Sequence, residues 1–153
     1  MKLPYKEGTL FAVPLRHGGY AVGVVARTSP RGDIVLTYLF CPARRTVPAA
    51  DDLNNLRPQD ALRVARVGDL SLTDKTWPII GQLQSWKREE WAMPPFVRRD
   101  DIAQKAWRVQ YSDTDANRVA SEQALDYRQA SEFDRDAVLG AGSAEIVLTK
   151  LLT

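Results

Sequence analysis

The side chains with the widest chemical reach are few: one histidine, His17, and one cysteine, Cys41. A catalytic zinc site takes about three protein ligands from His, Cys and carboxylate. A cysteine nucleophile needs a base beside it, and His17 is the sole imidazole. The two belong to different segments, His17 beside the Gly18-Gly19 pair and Cys41 between Phe40 and Pro42, so His17 reads as a turn residue. Carboxylates occur in pairs at Asp51/Asp52, Glu89/Glu90 and Asp100/Asp101. Sequence neighbours point apart on a strand and diverge on a helix, so these pairs read as solvated faces rather than acid–base couples. The chain has no G-x-S-x-G elbow, no Walker loop and no G-x-G-x-x-G opening a helix. The expectation is a protein without catalytic residues, metal or cofactor.

Charge is the remaining resource. Through Arg99 the chain carries 15 basic and 9 acidic residues, and from Asp100 onward 6 basic and 10 acidic. The acidic end reads either as solvated surface or as a face for a basic partner. On the basic side, Arg44/Arg45 and Arg98/Arg99 with Arg27 and Arg31 would make a phosphate-binding patch if exposed aromatics such as Tyr38 or Phe40 lay beside them. Both aromatics fall inside an apolar run, which argues for burial and leaves a small-barrel nucleic-acid-binding module as an alternative.

The elements that position these groups are mostly strands. Residues 9–15 and 20–28 read as a hairpin around Arg16, His17, Gly18 and Gly19, the glycines supplying the positive φ of a short turn. Residues 33–40 follow after Ser29, Pro30, Arg31 and Gly32, giving a three-stranded meander. Pro14 belongs near a strand end or on an edge, which leaves the second strand central. Residues 49–56 suit one or two helical turns, 62–67 a short strand before Gly68-Asp69, and 77–81 a short buried segment. Trp86 and Trp91, five residues apart, read as a small packing cluster closing one end of the sheet. Trp107, Val109 and Tyr111 alternate with polar neighbours as in a half-buried strand, paired with 118–125 across a polar turn. Ser131 reads as the N-cap of a short helix that Gly140 and Gly142 stop, and 145–151 as a last strand.

With 153 residues, 44% of them hydrophobic, the chain suits one domain spanning 1–153 with a core that needs no staples. A single cysteine fits a reducing compartment, and no signal-peptide h-region or membrane-length apolar run is present, so a cytoplasmic location is expected. The fold expected is α+β, a mainly antiparallel, strongly curved β-sheet or partial barrel with short helices.

The opening GTLFAVPL and GGYAVGVVAR, with the later Gly68-Asp69-Leu70, Trp77-Pro78-Ile79-Ile80-Gly81 and Trp91-Ala92-Met93-Pro94-Pro95-Phe96 blocks, resemble the immunity protein 26 family of bacterial polymorphic toxin systems. The resemblance extends over about the first hundred residues. It implies a cytoplasmic protein that binds and neutralises a cognate protein toxin. If that toxin is a nuclease or another enzyme with a basic cleft, Asp113, Asp115, Glu122, Asp126, Glu132, Asp134 and Asp136 are the residues expected to occlude it by charge complementarity. Some relatives carry a label linking them to a phosphotriesterase. A single histidine does not build a two-metal hydrolytic site, so phosphotriester hydrolysis is an alternative reading.

Overall fold

The computed structural model describes residues 2–152. Nine strands, β1 (Thr9–Pro14), β2 (Tyr20–Arg27), β3 (Ile34–Arg44), β4 (Arg63–Gly68), β5 (Ile79–Gln82), β6 (Phe96–Asp100), β7 (Lys105–Ser112), β8 (Asp115–Leu125) and β9 (Val138–Leu139), build two sheets. The larger runs β5-β1-β2-β3-β4-β9 and the smaller β6-β7-β8. All pairings are antiparallel except β4 with β9. The larger sheet ends at β5 and β9 without closing on itself. Two helices, α1 (Leu70–Thr73) and α2 (Ala141–Leu151), and 3-10 turns at Ala50–Leu53, Pro58–Asp60, Arg88–Glu90 and Tyr127–Glu132 complete the elements of the described residues.

The first three strands are almost continuously apolar because the larger sheet is covered on both faces. On one face Leu10, Val24, Leu36, Tyr38 and Phe40 pack with Trp91, Phe96 and Val109, the last two from the smaller sheet. On the other, Phe11, Val13, Val25 and Leu39 pack with Trp77 and with Ala144 and Leu148 of α2. The opening hairpin forms as its residues dictate. Gly18 and Gly19 adopt φ of +94° and +78°, and Leu15 and Gly19 close the turn at 2.9 Å. Gly23 lies opposite Phe11 in the register, and the Phe11 ring, stacked on Trp77 at 5.8 Å, occupies the space a Cβ there would need.

Pro14 is the last residue of β1, where its missing N–H costs no ladder bond, but β1 is internal because β5 flanks it. β3 continues past Phe40 to Arg44 along β2 alone. Trp86 and Trp91 touch at 5.6 Å. They do not close an end of the sheet: Trp91 packs edge-on to Tyr38 and Phe40 in the main core.

The C-terminal expectations change. Residues 145–151 are helical, not a strand. Ala144, Leu148 and Thr149, four and five apart, are buried while Ile146 faces out, so the helical period overrides the β-branched Ile146-Val147 pair. Gly140 is the N-cap of that helix rather than the stop of an earlier one. The expected helix after Ser131 is instead the 3-10 turn Tyr127–Glu132, capped by the Asp126 side chain accepting from Arg128 N.

Candidate partner-binding surface

β7 keeps the expected alternation at Val109 and Tyr111, which are buried, but not at its start, where Ala106 is buried and Trp107 only half-buried, whereas residues 117–124 of β8 are all exposed. β8 is the outer strand of its sheet, and a bulge at Ala120 interrupts its register with β7 between Gln110↔Ser121 and Tyr111↔Val119. Such a bulge twists an edge and discourages indiscriminate strand pairing. The turn between β7 and β8 and the segment before β9 are held to the larger sheet by two buried arginines.

Arg27, the last residue of β2, is only 3% exposed. Its Nε donates to Asp113 Oδ1 at 2.7 Å, and its remaining nitrogens donate to the carbonyls of Ala26 and Arg88. Arg88 completes the clamp from the 3-10 turn before β6, donating to Asp113 Oδ2 at 2.5 Å, to the Asp113 carbonyl, and to Glu7 Oε1 at 2.9 Å. The Arg88 and Arg27 hydrogen bonds together hold the Asp113 carboxyl below the usual range.

Arg66, in β4, is 4% exposed. Its Nε donates to Ala116 O at 2.9 Å, its Nη1 reaches Asp136 Oδ1 at 3.4 Å, and its guanidinium carbon lies 3.6 Å from the Tyr111 ring centroid. Tyr111 donates its hydroxyl to the same Asp136 oxygen at 2.5 Å. Burial first, and the carboxylate hydrogen bond second, push the Tyr111 phenol up to about 12. Burial lowers the Arg66 pKa, against the opposing pull of Tyr111 and Asp136.

The seven expected carboxylates therefore divide. Asp113 and Asp136 are anchors of the two clamps. Glu122 pairs with Arg98 at 2.5 Å, and Arg98 also covers the Trp107 ring. Asp126 caps its 3-10 turn and pairs with Arg128 at 3.0 Å. Asp115 accepts only from the backbone N–H of Asn117, while Glu132 and Asp134 are exposed. Asp115, Glu132 and Asp134 form no ion pair among the described residues.

Sequence reading missed the most heavily engaged carboxylate, Asp101. It accepts from the Tyr127 hydroxyl at 2.6 Å, from Arg99 at 2.6 Å and from Arg135 at 3.0 Å, and these bonds, Tyr127 foremost, hold it at about 2. It missed the clamp arginines as well. The available signal was a charge inside an apolar run, in YAVGVVAR and RVARVG, where burial demands a partner.

The expected basic patch is not gathered: Arg27 is buried, Arg98 and Arg99 are paired with Glu122 and Asp101, and Tyr38 and Phe40 are core residues. His17 and Cys41 are exposed on different segments. Among the described residues no three His, Cys, Asp or Glu side chains stand close enough to hold a metal ion, and no helix is long and apolar enough to cross a membrane.

Fold and surface together define a two-sheet β-rich scaffold whose buried arginines join its layers. The family model for immunity protein 26 matches residues 6–108, and the chain belongs to that family. No curated protein and no solved structure matches it. The matched stretch runs from the segment before β1 into β7, so β8 and everything after it lie outside.

Proposed function

We propose that this chain neutralises a cognate bacterial toxin in the cytoplasm by binding it, without chemistry of its own. The observation that carries the reading is its membership of the immunity protein 26 family over residues 6–108. The contact surface proposed is the C-terminal third, comprising Asp113, Asp115, Glu122, Asp126, Glu132, Asp134 and Asp136 as before. Two features support that choice: β8 is exposed along residues 117–124, and the region lies outside the shared family stretch, where features particular to one partner would reside. A partner with a basic cleft complements it, and long-range attraction would speed encounter.

The test uses the carboxylates that do not hold the fold together. The genomic neighbourhood is inspected first for a large toxin gene with a variable C-terminal domain immediately upstream, and the product of that gene is the partner to use. Asp115→Lys, Glu132→Lys and Asp134→Lys combined should slow its association by about tenfold or more at low salt, with the difference shrinking as salt screens it. An unchanged association rate at low salt removes the acidic face. No binding of that toxin by the unaltered chain removes the immunity reading itself.

A further inference from the structure

Neighbouring antiparallel strands can be joined by two residues, yet residues 45–62 join β3 to its neighbour β4, while residues 83–95 carry the chain from β5 of the larger sheet to β6 of the smaller. Loops held on a rigid scaffold are where binding residues concentrate. The two line a common cleft of about 460 Å³, within the size range of small-ligand sites. Its floor is the core itself, through Leu56 and the 1%-exposed Trp91.

The walls are preformed. Leu56 N donates to Leu53 O, Asp60 N to Arg57 O and Ala61 N to Pro58 O on one side, and Glu90 N to Lys87 O and Trp91 N to Arg88 O on the other. With the backbone of both walls bonded within itself, the side chains are left over. Asn54, Asn55 and Gln59 bring three carboxamides, Arg57 and Lys87 two cations, and Glu90 one carboxylate. None of these six has a hydrogen-bond or ionic side-chain partner among the described residues. Arg57 and Lys87 come from different connections, and both line this one cleft. Ser85 adds a hydroxyl at the rim.

We infer that this cleft is a binding site for a carboxylate carried among neutral hydrogen-bonding groups. The carboxylate meets Arg57 and Lys87, adjacent hydroxyl or amide groups meet the three carboxamides and Glu90, and a C–H face rests on Leu56. Two sources present that chemistry: a free hydroxylated acid such as a sugar acid, and an Asp or Glu side chain in a partner's polar loop. The inference does not depend on the toxin-binding reading, and the cleft is separate from the surface proposed for it.

The experiment is a titration of the isotope-labelled full chain, read by the side-chain resonances of Asn54, Asn55 and Gln59 and the Trp91 indole N–H. The probes are sodium glucuronate, glucose as its uncharged counterpart, and the blocked peptide acetyl-Gly-Asp-Gly-amide. Saturable shifts are expected at millimolar glucuronate or peptide, with glucose at least about fivefold weaker. Arg57→Gln and Lys87→Gln, both surface changes, should each weaken binding by about fivefold or more. Saturation by glucuronate assigns the free acid as the source, and saturation by the peptide alone assigns a partner loop. No shift with either up to about 50 mM, glucose binding as well as glucuronate, or shifts insensitive to both variants overturns the inference.

Discussion

Replacing Arg66 by methionine deletes the cation that ties β4 to the smaller sheet while keeping much of its aliphatic volume. The side chain donates to the Ala116 carbonyl at 2.9 Å, stands 3.6 Å from the Tyr111 ring centroid and reaches Asp136 at 3.4 Å. A hydrogen bond from a charged donor contributes about 2 kcal/mol, and a desolvated cation–π contact a further ~2 kcal/mol. The stretched ion pair, to a partner still partly in water, adds about 1 kcal/mol. Against these stands the cost of keeping a cation out of water, which the variant no longer bears, about 2 kcal/mol after relaxation. The net loss expected is about 3 kcal/mol, the lower end of what breaking a buried pair costs. For a chain of this size that lowers Tm by about 6–12 °C. Urea unfolding followed by tryptophan fluorescence measures it, and a double-mutant cycle with Asp136→Asn isolates the ionic part at about 1 kcal/mol. A loss below about 1 kcal/mol would refute the reasoning, since the contacts would then do no more than offset desolvation.

Four further outcomes are expected. Gly23→Ala should cost about 3 kcal/mol by overpacking, because the Phe11 ring facing it is pinned by Trp77; a change under about 0.5 kcal/mol would mean the ring moves freely. Asp113→Asn should lower the urea midpoint by leaving Arg27 buried with a weaker partner, and high salt should narrow the gap between variant and parent. Asp101 is held at about 2 in the folded chain against about 3.9 when unfolded; its stabilising contribution is therefore complete above pH ~4 and lost as pH falls toward 2. Asp101→Asn and the parent should converge in stability at the acid end, and a constant gap between them would contradict the assignment. The Tyr111 phenol is pushed up to about 12 from about 10, so its contribution is complete below pH ~10 and lost as pH rises toward 12. The ultraviolet titration of tyrosinate should lose one step near pH 12 in Tyr111→Phe, while the late steps of Tyr5 and Tyr38, also pushed up chiefly by burial, remain.

Local chemistry made the first half of the fold legible. Gly18 and Gly19 between two apolar runs specify a hairpin because few other residues accept those backbone angles, and Pro14 marks a strand end by its missing donor. At the C-terminus two local signals disagree, and the outcome depends on a surface the sequence does not display. Ile146 and Val147 favour a strand, but Trp77, Phe11 and Val13 offer an apolar surface that Ala144 and Leu148 cover only as one helical stripe. Trp77 Nε1 also donates to Glu145 on that stripe at 2.9 Å. Ion pairing was the least legible feature. Arg27 and Asp113 are 86 residues apart, and Arg66 and Asp136 are 70, so only the topology determines which carboxylates are occupied.

That topology also bears on what charge can do here. An acidic count along the C-terminal third suggests one uniform face, yet Asp113, though exposed, is paired with Arg27 and Arg88, the largely covered Asp136 is paired with Arg66, and Glu122 and Asp126 each have an arginine at hand. Long-range attraction depends on net charge, so the paired carboxylates contribute little to steering, while Asp115, Glu132 and Asp134 retain theirs. The clamps have a different effect. By fixing the β7–β8 turn and the segment before β9 to the larger sheet, they present the exposed β8 in one orientation, so a partner docking there would not bear the cost of ordering it. Weakening a clamp should therefore raise the dissociation rate of a complex formed on β8 and leave its association rate nearly unchanged, whereas reversing the free carboxylates should do the opposite. Measuring both rates for Arg66→Met and for the triple lysine variant separates preorganisation from steering, and equal effects on both rates in both proteins would refute that division.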